Sequence, residues 1–162
     1  MAMNLGAQTV PVRKLHHLGV PVRNLAASLA WYKKMFGLEP LFSAGGAGPD
    51  VDRAVQLEGV LIDAAFLQIG DVYLEMLEFQ QPKGADFALR NCDVGAVHIA
   101  LDVPDIHEAY RFLTANGVVF SNEPVYIGEG ELEGHWFAYF RDPDNIQFEL
   151  FQPPAPAGGP EL

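Results

Sequence analysis

A chain of 162 residues, 49% of them hydrophobic, is long enough to close one core and apolar enough to fill it, which excludes disorder over most of its length. Ten Lys plus Arg against 21 Asp plus Glu leave a formal net charge of −11. The densest basic stretches are Arg13-Lys14 and Lys33-Lys34, so neither nucleic acid nor an anionic membrane is expected as a partner. The single cysteine, Cys92, has no internal disulfide partner, the first nine residues hold no apolar stretch of signal-peptide length, and no run of about 18 apolar residues occurs to span a bilayer. A reducing, cytoplasmic setting is the expectation.

In chain order, 1–12 and the Pro- and Gly-rich 153–162 read as flexible tails outside the fold. Residues 14–22 predict a strand. Asn24 is a helix N-cap candidate, Leu25, Leu29, Tyr32 and Phe36 follow at helical spacing, and Gly37 sits where a C′ residue takes positive φ. Residues 38–42 begin a second strand. Gly45, Gly46 and Gly48 lack the Lys-Ser/Thr of a phosphate loop and, with Asp50-Val51-Asp52, read as a mobile rim. Residues 60–69 and 72–79 predict a hairpin about Gly70-Asp71. The same order then recurs, with a strand over 94–103, an N-cap at Asp105, and helical spacing through Ile106, Ala109, Tyr110 and Leu113. Gly117 matches Gly37, 118–120 begin a second strand, and the loop 126–134 is the counterpart of the rim. A hairpin of 135–141 with 145–151 closes the unit about Asp142-Pro143-Asp144-Asn145, which reads as a turn and nothing more. Trp31, Tyr32, Phe36, Tyr110 and Phe112 are at core spacing.

The recurrence is a repeat. An offset of 81 lays His17-Leu18-Gly19-Val20 over His98-Ile99-Ala100-Leu101 and Trp31 over Phe112; an offset of 74 lays Phe66 over Phe140, Asp71 over Asn145 and Leu74-Glu75-Met76 over Phe148-Glu149-Leu150. The expected fold class is α+β: two tandem βαβββ modules, 13–80 and 93–152, joined by a linker over 81–92 and forming an open, cleft-bearing pair of sheets.

Strand alternation puts Leu18, Val20 and Val22, and Val97, Ile99, Leu101 and Val103, under the helices. The open faces keep Leu15, His17, Gly19 and Pro21 in the first module and Ala96, His98, Ala100 and Asp102 in the second. Each His has a small neighbour two residues on, which leaves room for a ligand. In the last strands, Glu75 and Glu149 interrupt apolar runs. A carboxylate on a cleft face costs several kcal/mol to desolvate unless it is paired, protonated or bound to a cation. No Lys or Arg recurs at a fixed repeat position, so a divalent metal is the economical partner. Two imidazoles and two carboxylates suit Ni, Zn, Co, Mn or Fe(II), with positions open to water or substrate.

The openings His17-Leu18-Gly19-Val20 and His98-Ile99-Ala100-Leu101, and the endings Leu74-Glu75-Met76-Leu77 and Phe140-Arg141-Asp142-Pro143-Asp144-Asn145 through Glu149, resemble the vicinal oxygen chelate superfamily, which has the glyoxalase/bleomycin resistance protein/extradiol dioxygenase fold. The resemblance implies metal ligands at His17, Glu75, His98 and Glu149, with Glu75 and Glu149 also catalytic. Glu at both carboxylate positions is similar to glyoxalase I, while 59–67 and 70–78 look closer to methylmalonyl-CoA epimerase. The implied function is a metal-dependent lyase or isomerase that binds a small substrate through two vicinal oxygens and moves a proton next to a carbonyl.

Two alternatives stay open. One is an Fe(II) extradiol-type ring-cleaving dioxygenase using His17, His98 and Glu149, since Tyr139-Phe140-Arg141-Asp142-Pro143 matches part of that signature and His135 is a candidate acid. The other is a non-catalytic small-molecule binding or resistance protein. The resemblance also implies a homodimer, and leaves open whether one chain or two make the site. His16, expected on the helix-packing face, and His107 read as structural, and Tyr73 and Tyr139 as lining the cleft.

Overall fold

The hydrophobic period switches from two to 3.6 and back, twice, and the chain folds accordingly. In the computed structural model, which describes residues 10–86 and 89–155, the first module comprises β1 (His17–Pro21), α1 (Leu25–Phe36), β2 (Pro40–Ala47), α2 (Pro49–Val55), β3 (Leu61–Ile69) and β4 (Val72–Gln81). The second comprises β5 (His98–Asp102), α3 (Ile106–Ala115), β6 (Val125–Tyr126), β7 (Trp136–Arg141) and β8 (Gln147–Gln152). The parts of the expected tails at 1–9 and 156–162 lie outside the described residues. Two four-stranded mixed sheets result, ordered β1-β4-β3-β2 and β5-β8-β7-β6, as the α+β reading requires. In each, the first strand pairs parallel with the last, and the other pairings are antiparallel. Among the described residues no helix is long and apolar enough to cross a membrane.

The helix signals act as expected. Asn24 accepts from the Ala27 N–H and Asp105 from the Glu108 N–H, each satisfying an amide that the first turn leaves open. Gly37 ends α1 at φ 67° and Gly117 follows α3 at φ 89°, in the left-handed region that favours glycine.

Four expectations are corrected. The glycine-rich rim is ordered: β2 continues through Gly45, where a Cβ would strike the Ile62 carbonyl oxygen at 2.6 Å, and α2 follows, with Asp52 accepting from the Gly59 and Val60 N–H groups at 2.9 and 2.8 Å. Residues 118–120 form no strand. Phe120 makes an isolated bridge to Phe140 and turns its ring onto Tyr110 and Phe140, at 4.7 and 5.1 Å, so burial outweighs strand pairing there. Phe112 is 48% exposed and is not core. Finally, Phe66 is not the counterpart of Phe140. Glu75 stands opposite Phe66 and Glu149 opposite Tyr139, because two residues turn the first hairpin (Ile69 pairs with Val72) and five turn the second (Arg141 pairs with Gln147). A one-residue slip changes faces, and Phe140 is accordingly buried in the core.

One core serves both modules. Tyr32 and Met35 of α1 and Leu67, Leu74 and Met76 of the first sheet join Ile106, Leu113, Phe140, Phe148 and Leu150 of the second module. Tyr32 meets Phe148 at 5.9 Å and Phe36 meets Phe140 at 6.3 Å, so α1 packs on the helix-bearing side of both sheets. The β7–β8 turn is therefore more than a turn. Asp142 accepts from the Tyr32 hydroxyl at 2.8 Å and from the Asp144 and Ile146 N–H groups, and Asp144 accepts from the Ser28 hydroxyl at 2.7 Å and the Arg23 N–H at 3.0 Å. Both carboxylates are buried, and Arg23 adds a bond to the Pro143 carbonyl.

Burial pushes the Asp142 carboxyl above its ordinary value despite the hydrogen bonds that Tyr32, Ile146 and Asp144 donate to it. A raised folded-state value means that this group's contribution to stability is full below the ordinary Asp value of about 3.9 and falls as pH rises through the folded value. Asp142→Asn removes that loss and keeps an acceptor for the two amides, so its unfolding midpoint at neutral pH is expected to equal or exceed the wild type's. Asp142→Ala strands both amides and the Tyr32 hydroxyl and is expected to cost about 3 kcal/mol. Thermal unfolding of all three proteins at about pH 4 and about pH 8 checks both statements.

Candidate metal centre

β1 sends Leu18 and Val20 toward the core, which leaves His17 and Gly19 on the other face. Its parallel partner β4 is in register Gly19 to Glu75, so Glu75 lies diagonally across from His17, and His17 Nε2 is 3.4 Å from Glu75 Oε2. β5 and β8 repeat the arrangement: Ala100 pairs with Glu149, and His98 Nε2 is 3.0 Å from Glu149 Oε2. Gly19 stands opposite Glu75 and Ala100 opposite Glu149, and a Cβ on Gly19 would make ordinary contact, 3.6 Å from Glu75 Oε2 and 3.4 Å from Leu77 Cδ1. The carboxylates form the floor of each half-site and the imidazoles reach solvent.

The surroundings differ between modules. His17 Nδ1 is 2.8 Å from His16 Nδ1, so one ring donates to the other and His17 Nε2 is left facing Glu75. His16 is exposed, with its ring 5.5 Å from Tyr73, and is not on the helix-packing face where the sequence pattern put it. Phe66 stands edge-on to His17, and Phe42 stacks on Phe66 at 4.6 Å. Further along the same face Ile62, Ala64, Leu77 and Phe79 form a separate apolar cluster with Val51 of α2. In the second module the Tyr139 ring stands edge-on to His98, and its phenol is pushed up by burial and by the neighbouring Glu149 carboxylate. His135 Nδ1 is 2.9 Å from the Leu132 carbonyl oxygen with the ring against Phe151, and His107 packs edge-on to Trp136.

The four expected ligands thus come together as two pairs, each on the outer face of its own sheet and turned away from the common core. Among the described residues, no group of three or more His, Cys, Asp or Glu is close enough to hold one metal ion. Among the described residues, His17 and Glu75 stand on one sheet and His98 and Glu149 on the other. Each pair nonetheless fits half of a divalent-metal site: an imidazole nitrogen and a carboxylate oxygen converge, and in the first pair the second ring nitrogen of the His is also held. His16 was accessible to sequence reasoning only as a second His beside a ligand candidate, and the inter-module role of Asp142 and Asp144 had no local signal.

Residues 14–150 match the Glyoxalase/Bleomycin resistance protein/Dioxygenase superfamily, and the chain belongs to that family. It is 29% identical over 151 residues to a 2-epi-5-epi-valiolone epimerase of Actinomyces sp, covering 90% of this chain and 81% of the relative. It is 27% identical over 121 residues to the mitochondrial methylmalonyl-CoA epimerase of Dictyostelium discoideum, covering 74% and 66%. In fold it is similar to a glyoxalase family protein from Bacillus cereus, with a TM-score of 0.76 at 19% identity over 93% of this chain and 99% of the other. It is also similar to the fosfomycin resistance protein FosX of Listeria monocytogenes complexed with Mn(II) and sulfate, with a TM-score of 0.60 at 21% identity over 90% and 96%.

The backbone at Gly19 is ordinary strand, so Gly19→Ala is expected to keep wild-type divalent-metal affinity. Gly19→Val, whose branches reach the Glu75 carboxylate, is expected to weaken it by about tenfold or more with the circular dichroism spectrum unchanged. Mn(II) titration of the metal-depleted proteins measures both.

Proposed function

We propose that this member of the superfamily is a metal-dependent lyase or isomerase of the epimerase type, and that its working site is shared between two copies of the chain. His17 and Glu75 of one subunit and His98 and Glu149 of the partner subunit would hold one divalent ion, with Ni, Zn, Co or Mn suited to this donor set. The ion would supply Lewis-acid polarisation of a substrate carbonyl. The observation that carries the reading is the repeated imidazole–carboxylate pair, present on both sheets at equivalent register and facing outward in both. Half a ligand set on each of two outer faces is completed when a two-fold operation brings unlike halves together, and a two-fold closes into a dimer with two equal sites. The two epimerases among the relatives support the isomerase choice, and the Mn(II) in FosX supports a divalent ion.

Within that site the chain's own groups do three things. His17 and His98 present Nε2 toward the carboxylates. Phe42, Phe66 and the patch under α2 exclude water from one side of the first half-site, which strengthens electrostatic interactions there. Glu75 and Glu149 are the bases at hand for the proton on the carbon next to a carbonyl, in a substrate that offers two vicinal oxygens.

Elemental analysis of the purified protein is the first test. Near-stoichiometric Ni, Zn, Co or Mn, lost in His98→Ala, is expected. Iron, with oxygen uptake on catechols, would replace this reading with a ring-cleaving dioxygenase, and no metal even after reconstitution would leave a binding protein.

Sharing between subunits has its own test. A His17→Ala/Glu75→Ala chain and a His98→Ala/Glu149→Ala chain are each expected to bind no metal, whereas refolding them together should restore up to about a quarter of the wild-type sites, since half of the dimers are mixed and each carries one intact site. No recovery in a mixture shown to contain mixed dimers would overturn the shared site.

A further inference from the structure

The two half-sites differ at the residue before each histidine. The repeat that lays His17 over His98 lays His16 over Val97, an imidazole against an aliphatic side chain. In an extended chain neighbouring side chains point to opposite faces, yet the His16 ring is turned back toward its neighbour. His16 Nδ1 stands 2.8 Å from His17 Nδ1, with the two rings nearly perpendicular at 85° and their centroids 5.1 Å apart. The main chain at this point is fixed, since the Tyr73 N–H donates to the His16 carbonyl oxygen at 3.1 Å, and the Tyr73 ring lies 5.5 Å from the His16 ring. A hydrogen bond between two imidazole nitrogens needs one proton between them, carried by His17 or by His16. The aliphatic Val97 side chain has no such group to offer His98.

We infer that His16 is a positioning residue: its Nδ1 accepts the Nδ1 proton of His17 and so fixes the His17 ring in the tautomer whose bare Nε2 faces Glu75. The inference rests on the reading of His17 and Glu75 as metal ligands. A neutral imidazole carries one proton, and an Nε2 that binds a metal ion has none, so the proton of a ligating His17 belongs on Nδ1. An acceptor placed at Nδ1 stabilises that form and holds the ring against rotation about its Cβ–Cγ bond. With the proton given the other way, from His16 to His17, the His17 Nε2 would carry a proton toward Glu75 and the half-site would be closed to a cation. His16 can act as the acceptor without cost to itself, because its own proton then sits on Nε2 and its exposed ring leaves that group to water. The bond also accounts for the direction of the His16 side chain, which strand alternation does not.

Mn(II) dissociation constants, read from the paramagnetic resonance signal of the free ion, are measured on metal-depleted wild type, His16→Val and His16→Asn. His16→Val gives the position the side chain that stands at 97 and is expected to weaken binding by about tenfold or more, with the unfolding midpoint of the metal-free protein unmoved because the residue is exposed. His16→Asn puts an amide oxygen in the place of Nδ1 and is expected to bind within about threefold of wild type. In the Zn(II)-loaded proteins the His17 Nδ1 proton is expected as an imidazole resonance slowed in exchange with water in wild type and His16→Asn, and lost to exchange in His16→Val. Wild-type affinity in His16→Val, or His16→Asn as weak as His16→Val, overturns the inference and leaves the metal centre standing. A wild type that binds no divalent ion overturns both. Should His16→Val fail to fold, the wild-type spectrum decides, since a His17 Nδ1 proton in free exchange with water overturns the inference.

Discussion

The parallel pairing of the first strand of each module with its last is the constraint on which the rest depends. In β1–β4 and β5–β8 it brings the two ends of a module of about 60 residues side by side, at a register that puts a histidine and a glutamate diagonally across one face. Alternation then sends Leu18 and Val20, or Ile99 and Leu101, to the other face, where the helix covers them. Core and half-site are thus two consequences of one register. A slip of a single residue in either pairing would bury a carboxylate under a helix and expose a core side chain, so packing itself enforces the geometry of the site.

How the two modules are joined decides what those half-sites can do. Tyr32 and Ser28 on α1 reach across to Asp142 and Asp144 in the β7–β8 turn, and the aromatic rings of α1 settle on Phe140 and Phe148. A buried carboxylate is costly unless its lone pairs are taken up, and here backbone amides and hydroxyls of two separate elements take them up, so the joint is specific in orientation as well as apolar. Because α1 occupies the space between the helix-bearing sides of the sheets, the faces that carry His17 and Glu75, and His98 and Glu149, are left outermost. On the proposed reading, the four side chains would form one site only when a second copy completes it. Among the described residues β1 and β5 are edge strands of their sheets, each paired on one side.

The two halves are alike in register and differ in what surrounds each histidine–glutamate pair. His17 and Glu75, and His98 and Glu149, hold equivalent places beside Gly19 and Ala100, while the residue across from each glutamate is phenylalanine in one module and tyrosine in the other. The apolar patch capped by α2 belongs to the first module, and the second module has His135 fixed to the Leu132 carbonyl on its own loop.

Much of this was legible from local pattern. The repeat, the caps at Asn24 and Asp105, the glycines at Gly37 and Gly117, the two hairpins and the face assigned to His17, Glu75, His98 and Glu149 all follow from spacing, because each depends on residues near one another in sequence or on strict alternation within one strand. The register of the hairpins was less legible. Phe66 and Phe140 align in sequence but face opposite ways, since the two turns differ in length and a turn's geometry depends on its own residues. The glycine-rich rim became strand and helix because Gly45 is required by the close approach of Ile62, a contact between segments. Asp142 and Asp144 carried turn chemistry in the sequence and gained their second role only when α1 packed against them. The sequence by itself therefore determined the modules, their faces and the ligand-type side chains, for these depend on local period. The tertiary structure alone decided that the two pairs sit apart on outward faces, because that depends on which helix fills the space between the sheets, and no local spacing encodes it.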